Sequence, residues 1–236
     1  MDILTIRKAA LAAVILASGC GSPGHATDAA HPTVVELFQS QGCSSCPPAI
    51  ANVNSIADRP DILALTFAVT YWDQLGWKDT FARPEFTARE RDYARTGISA
   101  FATPQTVING RETVNGGDRT QLIAAIRNAD RGNSGPSVST SGGQIRVEKG
   151  VAARPATVWL VRYDKRALAV PIGAGENSGR TLTHRNVVRS LTVLGTWRGA
   201  AIAIALPAVR DPQLRSAVLI QSGAGGPIIA AARVGS

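Results

Sequence analysis

Two cysteines separated by two residues are the feature of this sequence with the clearest chemistry. Cys43 and Cys46 follow an apolar run at residues 33–38 and precede a helix-like segment at residues 49–58. This order predicts a strand, a tight loop and the start of a helix. The N-terminus of a helix carries unsatisfied N–H groups and a partial positive charge, which favour a thiolate there. We therefore expect Cys43 to be the nucleophile and Cys46, one helical turn further on, to resolve a mixed disulfide.

The same cysteine pair fits three other interpretations. It could be a static disulfide clip, or half of a zinc site, but the remaining candidate ligands, Cys20, His25, His31 and His184, do not have matching spacing. It could also hold copper through soft thiolates, although Met1 is the only methionine. A CxxC beside a βαβ pattern favours redox chemistry, so we predict no metal and no cofactor, with electrons supplied by a redox partner protein.

Glu36 is the one charged residue in the first predicted strand, seven residues before Cys43. A carboxylate near a buried dithiol has a raised pKa and can exchange a proton with Cys46 during disulfide exchange. We therefore include Glu36 among the candidate catalytic residues. The alternative is that it points to a strand edge.

An aromatic loop follows the second predicted strand. That strand, residues 62–69, is connected to the first by a helix and should be parallel to it, so the following segment emerges beside Cys43. This segment, residues 70–79, contains Trp72 and Trp77. Because tryptophans are costly to leave in water, they either line a groove for a substrate peptide or pack against the second half of the chain.

The third informative stretch contains Pro104 and the pair Asn109-Gly110. Asn-Gly is a strong hairpin signal, so residues 105–108 and 112–114 should be antiparallel partners. Pro104 opens the first of these strands and is a candidate for a cis peptide bond. A capping box then starts a helix over residues 119–128.

The element order β-α-β-α-β-β-α over residues 31–130, with CxxC at the first strand-to-helix junction, predicts an α/β thioredoxin-like N-terminal domain. The chain also resembles the exported thioredoxin-like family catalogued as "domain of unknown function 1223". The resemblance is carried by six groups of residues: 34–38, 40–48, 71–77, 103–105 with 109–110, 175–177 and 179–182. By resemblance to thioredoxins, Cys43 attacks, Cys46 resolves, and Thr103 and Pro104 pair with the substrate backbone.

The second half of the sequence predicts a different architecture. Residues 131–143 have the composition of a linker, and residues 144–236 contain short β-type runs separated by glycine and proline. This pattern predicts an all-β sandwich-like C-terminal domain. The glycine-rich segment 173–179 is interpreted as a turn, and the domain as one that docks a partner or shields the site.

The N-terminus predicts export. Residues 1–26 combine a short basic region, a short apolar region and small residues, as in a secretory signal followed by a tether. The residues before Cys20 resemble a bacterial lipobox, which predicts lipidation of Cys20 and a lipid anchor; ordinary cleavage after Ala26 is the alternative. Both place the protein in the periplasm or on a periplasm-facing membrane, where disulfides persist.

The charge of the chain is unevenly distributed. Residues 1–130 hold 11 Lys and Arg against 13 Asp and Glu, whereas residues 131–236 hold 14 against 4. A basic face could dock on an anionic surface or an acidic partner, but scattered arginines also fit exposed strand faces. Basic and aromatic residues are not interleaved, which argues against a nucleic-acid module.

The sequence therefore predicts an exported thiol–disulfide oxidoreductase acting on protein thiols and disulfides. The main alternative is a non-enzymatic envelope binding module with a structural disulfide.

Overall fold

The computed structural model describes residues 28–131 and 134–234. Over these ranges the protein is a mixed α/β protein with few helices, built on one large mixed sheet. The predicted signal and tether at residues 1–26, including Cys20, lie outside the described residues. None of the helices within the described ranges is long and apolar enough to cross a membrane.

The N-terminal half alternates strands and helices as the hydrophobic pattern predicted. Its elements are β1 (Thr33–Gln39), α1 (Pro47–Asn54), β2 (Ile62–Ala68), α2 (Pro84–Arg95), β3 (Gln105–Ile108), β4 (Glu112–Val114) and α3 (Arg119–Asn128). The expected cap of α3 is present, because the Asp118 carboxylate accepts the N–H groups of Thr120 and Gln121. The predicted hairpin joins β3 and β4, with φ values of 47° at Asn109 and 59° at Gly110.

The C-terminal half consists of short strands. They are β5 (Val138–Ser141), β6 (Gln144–Val147), β7 (Ala156–Asp164), β8 (Leu168–Pro171), β9 (Thr181–His184), β10 (Val187–Trp197), β11 (Ile202–Ala205), β12 (Leu214–Ser222) and β13 (Ile228–Val234). β9 and β10 are separated by a bend at Asn186, which has a φ of 49°. The side-chain amide of Asn186 donates to the carbonyls of Ala57 and Ala64, so this bend is tied to the N-terminal half.

One sheet passes through both halves of the chain, in the order β13-β12-β7-β10-β2-β1-β3-β4. β1 and β2 are parallel and in register from Thr33 opposite Ile62 to Gln39 opposite Ala68. Their carboxyl ends therefore meet at the same edge. Two loops emerge there: residues 40–46, which we call the cysteine loop, and the aromatic loop at residues 70–79.

The C-terminal half does not form the separate sandwich-like domain that the sequence predicted, because most of its long strands belong to the large sheet. β10 lies beside β2, so β7, β10, β12 and β13 extend the N-terminal sheet. The physical reason is that β2 otherwise presents an unpaired, fully buried strand edge, which the apolar strands of the C-terminal half cover.

A sandwich-like layer nevertheless exists on one side of the extension. β5, β6 and β11 form a separate three-stranded sheet, and Ile145 and Val147 pack with Trp197, Val218 and other apolar residues of the large sheet. β5 falls within the stretch expected to be a linker. β8 and β9 pair as a hairpin that contacts α1, and the loop between them reaches the cysteine pair.

Candidate functional site

Cys43 and Cys46 form a disulfide in the loop after β1, with their Cα atoms 5.4 Å apart. Cys46 is the N-cap of α1: its carbonyl accepts the N–H of Ile50 at 3.0 Å, and its own N–H donates to the carbonyl of Cys43 at 3.2 Å. The predicted junction of strand, tight loop and helix is therefore present. Pro47 and Pro48 occupy the first helical positions and lack N–H groups, so this N-terminus has fewer free donors than most helices.

Both cysteines are completely buried, although Ser44 and Ser45 between them are exposed. Beneath the disulfide lie apolar side chains of β1, α1 and α3. The Ser45 hydroxyl lies 3.4 Å from the Cys43 sulfur, within hydrogen-bond distance. The Ser45 hydroxyl can thus donate a hydrogen bond to a thiolate at Cys43. An attacking thiol, however, must first reach a sulfur atom that is buried.

The loop between β8 and β9, residues 172–180, lies against the backbone beside Cys43, and we call it the cap loop. The buried Asn177 amide donates to the carbonyls of Gln41 at 2.9 Å and Cys43 at 2.8 Å. The Arg180 guanidinium donates to the side-chain amide oxygen of Asn177 at 2.9 Å and so orients the amide. A segment more than 130 residues away in sequence therefore holds the backbone on both sides of Gly42 in place.

A second contact of the cap loop is a hydrogen bond to a carboxylate. The Glu176 carboxylate accepts the N–H of Ser44 at 3.1 Å. Hydrogen bonds from Ser44 lower the pKa of Glu176 from its ordinary value. Glu176 therefore stays negatively charged directly beside the residue that follows Cys43.

Trp77 packs between the cysteine loop and the cap loop. Its indole N–H donates to the Gln41 side chain at 2.9 Å, its ring lies near Gly173, and its Cβ atom and backbone lie near Gly175. Gly175 has a φ of 74°, and a Cβ there would lie 3.2 Å from the Trp77 Cβ atom, so glycine is required at this contact. The Gln41 N–H donates to Asp79 at 2.7 Å, and burial raises the pKa of Asp79 to about 6.

Trp72 connects the disulfide to the predicted proline segment. It packs against the apolar cluster that contains both cysteines, and its indole N–H donates to the Thr103 hydroxyl at 2.7 Å. The peptide bond between Thr103 and Pro104 is cis. The structure thus brings together five of the predicted residues: Cys43, Cys46, Trp72, Thr103 and Pro104.

Glu36 does not belong to this group. Side chains alternate across a strand, and Val35 and Leu37 face the cysteines, so Glu36 points to the opposite face of the sheet. There its carboxylate accepts two hydrogen bonds from Arg89, at 2.6 and 3.2 Å, and one from Tyr93 at 2.5 Å. The expectation that Glu36 exchanges a proton with Cys46 was therefore wrong.

A different buried acid lies behind the aromatic loop and was missed in the sequence. Glu90 is fully buried and accepts the Tyr71 hydroxyl at 3.1 Å, while its second carboxylate oxygen has no partner within the described ranges. Burial raises the pKa of Glu90 to about 7 and raises that of Tyr71. The charged helix α2 gave no sequence signal that this glutamate, among several others, faces inward.

Within residues 28–131 and 134–234, no group of three or more His, Cys, Asp or Glu side chains is placed to hold a metal ion.

The fold and the site define a mixed α/β protein with a buried Cys-Ser-Ser-Cys disulfide held under a loop from its C-terminal half. Residues 34–221 match the family described as "Protein of unknown function (DUF1223)", and the chain belongs to that family.

Two solved structures resemble this one. A crystal structure of an Agrobacterium tumefaciens protein is 31% identical, covers 85% of this chain and 92% of its own, and superimposes with a TM-score of 0.68. HBP35 of Porphyromonas gingivalis is 13% identical, covers 86% of this chain and 74% of its own, and has a TM-score of 0.60, a likeness of fold alone. A comparison with curated protein sequences gave no match.

Proposed function

We propose that this protein is a thiol–disulfide oxidoreductase with a thioredoxin-like arrangement over residues 31–130. The observation that supports this most directly is the Cys43–Cys46 disulfide between a buried parallel strand and a helix start, with Trp72 linking it to the cis Thr103–Pro104 bond. The strand order β2-β1-β3-β4, with β1 and β2 parallel and β3 antiparallel to β1, is consistent with that arrangement.

The proposed chemistry needs only the two sulfurs and a protein partner. In the reduced protein, the Cys43 thiolate attacks one sulfur of a substrate disulfide and expels the other as a thiolate. The Cys46 thiolate then attacks the Cys43 sulfur, which closes the Cys43–Cys46 bond and releases the second substrate thiol. Two electrons pass to the substrate, and a redox partner protein restores the dithiol; the reverse sequence oxidises a substrate.

Access to the disulfide is part of the proposal. Because both sulfurs are buried, exchange requires displacement of the cap loop, which is held to the cysteine loop through Asn177 and Glu176. A substrate peptide would then lie beside Trp72 and the Thr103–Pro104 backbone. Residues 1–26 support a proposed site of action in the periplasm, with Cys20 as a proposed lipid anchor.

A permanent structural disulfide is the second candidate, and the complete burial of both cysteines favours it. Such a clip would hold the cysteine loop against the cap loop and leave binding functions to the surrounding surface. The two candidates differ in whether the bond can be reduced while the protein remains folded.

The deciding experiment combines a redox titration with trapping. The folded protein is equilibrated in glutathione buffers and its free thiols are counted by alkylation and mass spectrometry; an active pair titrates within roughly −270 to −120 mV. Cys46→Ser, mixed with an excess of a small disulfide-containing peptide, should accumulate a mixed disulfide at Cys43.

Cys43→Ser is the matched control and should trap far less peptide. If the pair stays oxidised throughout the glutathione range and Cys46→Ser traps nothing, the bond is a structural clip and the oxidoreductase proposal is wrong.

A further inference from the structure

A large basic cleft lies at the end of the sheet opposite the disulfide. It has a volume of about 740 Å³ and is bordered by the loop that enters β2, including Asp58 and Arg59, and by β7, β12 and β13. The cysteine loop leaves the other end of β1, a seven-residue strand, so roughly 20 Å of sheet separates the two sites. The cleft is therefore not part of the disulfide site.

The sheet register brings cations to one face at this end. Arg215 on β12 is directly opposite Tyr163 on β7, and Arg233 on β13 is opposite Ala217, two residues after Arg215. Side chains two residues apart in a strand share a face, so Arg215 and Arg233 both project there. Lys165 directly follows β7 and lines the same cleft.

These three cations differ from their neighbours in forming no direct salt bridge; Lys165 and Arg233 interact with Asp58 and Asp61 only electrostatically, at longer range. Arg59 is paired with Asp61, and Arg185, near the rim, is paired with Asp58. In the two described stretches of chain, neither Lys165 nor Arg215 nor Arg233 forms a salt bridge. Arg233 donates to the carbonyls of residues 59, 60 and 62, which fixes its position.

The floor of the cleft adds neutral polar groups. Tyr163 and Ser216 are buried and line it. The Ser216 hydroxyl, on the other face of β12, already accepts a hydrogen bond from Arg162. Burial raises the pKa of Tyr163, so its phenol stays protonated at neutral pH. Asp58 is the one carboxylate among the described lining residues, and it is already paired with Arg185. The interior therefore offers donors and positive charge to an anion.

We propose that this cleft binds a phosphate-bearing ligand. Three cations that form no direct salt bridge suit a group carrying more than one negative charge, and the planar N–H pair of an exposed arginine such as Arg215 matches two phosphate oxygens. The volume lies within the range of roughly 300 to 1,000 Å³ found for small-molecule sites. The site also gives a role to the basic character of the C-terminal half that disulfide exchange does not explain.

The test measures binding to two phosphate sources with the full-length protein. Pyrophosphate is titrated by calorimetry at low ionic strength, and vesicles of phosphatidylcholine with and without phosphatidylglycerol are used in a sedimentation assay. We expect saturable binding to pyrophosphate, to the anionic vesicles, or to both. Pyrophosphate binding alone assigns a free phosphate compound, and anionic vesicle binding alone assigns a lipid headgroup.

The variants make the assignment specific to the cleft. The double variant Lys165→Ala with Arg215→Ala should weaken binding at least about tenfold, because each lost contact is charge-assisted. Arg198→Ala removes an exposed arginine of the same half outside the cleft and should bind like the wild type. No saturable binding to either source, or equal weakening by Arg198→Ala, would overturn the proposal.

Both substitutions of the double variant are at exposed positions, so folding should be unaffected and is checked by circular dichroism. Binding should also be the same with the disulfide reduced, which keeps this test independent of the redox proposal.

Discussion

The reactivity of the cysteine pair depends on a few atoms around Cys43. The helix start contributes less than the sequence pattern implied, because Pro47 and Pro48 remove two N–H donors. The Ser44 N–H is already bonded to Glu176. The Ser45 hydroxyl is therefore the clearest remaining donor to a thiolate at Cys43.

Replacing Ser45 tests this donor. In the reduced protein, Ser45→Ala should slow alkylation of Cys43 by iodoacetamide at neutral pH about threefold to tenfold, because a hydrogen bond to a charged group is lost. The rate is measured by mass spectrometry of the Cys46→Ser background, which leaves a single thiol in the described residues.

Ser45→Thr keeps the hydroxyl and should retain the wild-type rate. Equal rates for the alanine and serine proteins would show that Ser45 does not stabilise the thiolate.

Glu90 makes stability depend on pH in a direction opposite to that of a paired surface acid. Burial raises its pKa in the folded protein from 4.5 to about 7. Below pH 4.5 the carboxyl group is neutral in both the folded and the unfolded protein, and its burial carries no charge penalty. As the pH rises through 7, ionisation favours the unfolded protein, and the free energy of unfolding falls. Glu90→Gln removes this dependence. The free energy of unfolding of Glu90→Gln relative to wild type should therefore rise by up to about 3 kcal/mol between pH 4 and pH 8.

Urea unfolding at both pH values measures the difference. Glu85→Gln changes an exposed glutamate of the same helix and should leave its difference from wild type nearly constant. A Glu90→Gln difference that does not change with pH would mean that Glu90 is ionised in the folded protein without cost.

The hairpin of β8 and β9 has a clear role in this fold: it carries the cap loop to the cysteine pair. Asn177 uses both of its N–H donors on carbonyls that flank Gly42, and Trp77 fills the space between the two loops. These contacts hold the disulfide in a buried state without any contact to sulfur. We therefore predict that the hairpin limits access to the disulfide.

Asn177→Ala should expose the disulfide. Loss of two hydrogen bonds to backbone carbonyls, each worth about 1 kcal/mol, favours the open cap loop and should speed reduction by dithiothreitol up to about thirtyfold. The rate is followed by quenching with an alkylating agent under conditions where the protein remains folded.

Ser178→Ala is the control, because Ser178 is exposed in the same loop and makes only a 3.4 Å contact within it. If Asn177→Ala is reduced at the wild-type rate, the cap loop does not limit access.

The two halves of the chain form one structural unit, because β10 pairs with β2 and because a buried polar network crosses between them. Arg89 on α2 bonds Glu36 on β1 and Gln221 on β12, and Gln221 also accepts the indole N–H of Trp159. Burial opposes the charge of Arg89, but the Glu36 carboxylate keeps its pKa above the ordinary value. Residues from both halves thus depend on one buried cation.

Arg89→Met should destabilise the whole protein. It leaves the Glu36 carboxylate buried without its partner, which typically costs about 3 to 5 kcal/mol. Urea unfolding should show a single transition shifted to lower concentration, because the network joins both halves.

Arg95→Met removes an exposed arginine of the same helix and should change the free energy of unfolding by less than about 0.5 kcal/mol. A loss confined to one of two separate transitions would contradict the view that the halves unfold together.

The sequence by itself determined the local features. The helix over residues 119–128 has its predicted bounds because Asp118 caps its first turn, and the hairpin at Asn109-Gly110 forms because those residues accept positive φ. The position of the cysteine pair at a strand-to-helix junction followed from the hydrophobic pattern. These features depend on interactions between residues close in the chain, which the sequence displays directly.

Only the tertiary structure decided the rest. The face to which Glu36 points, the burial of Glu90, the joining of β10 to β2 and the contact of Asn177 with the cysteine loop all depend on which surfaces meet. A strand or helix of given pattern can bury its apolar side against several partners, and the choice is made by packing between distant segments. The local pattern is compatible with more than one such packing, and for this reason it located the disulfide but not its cover.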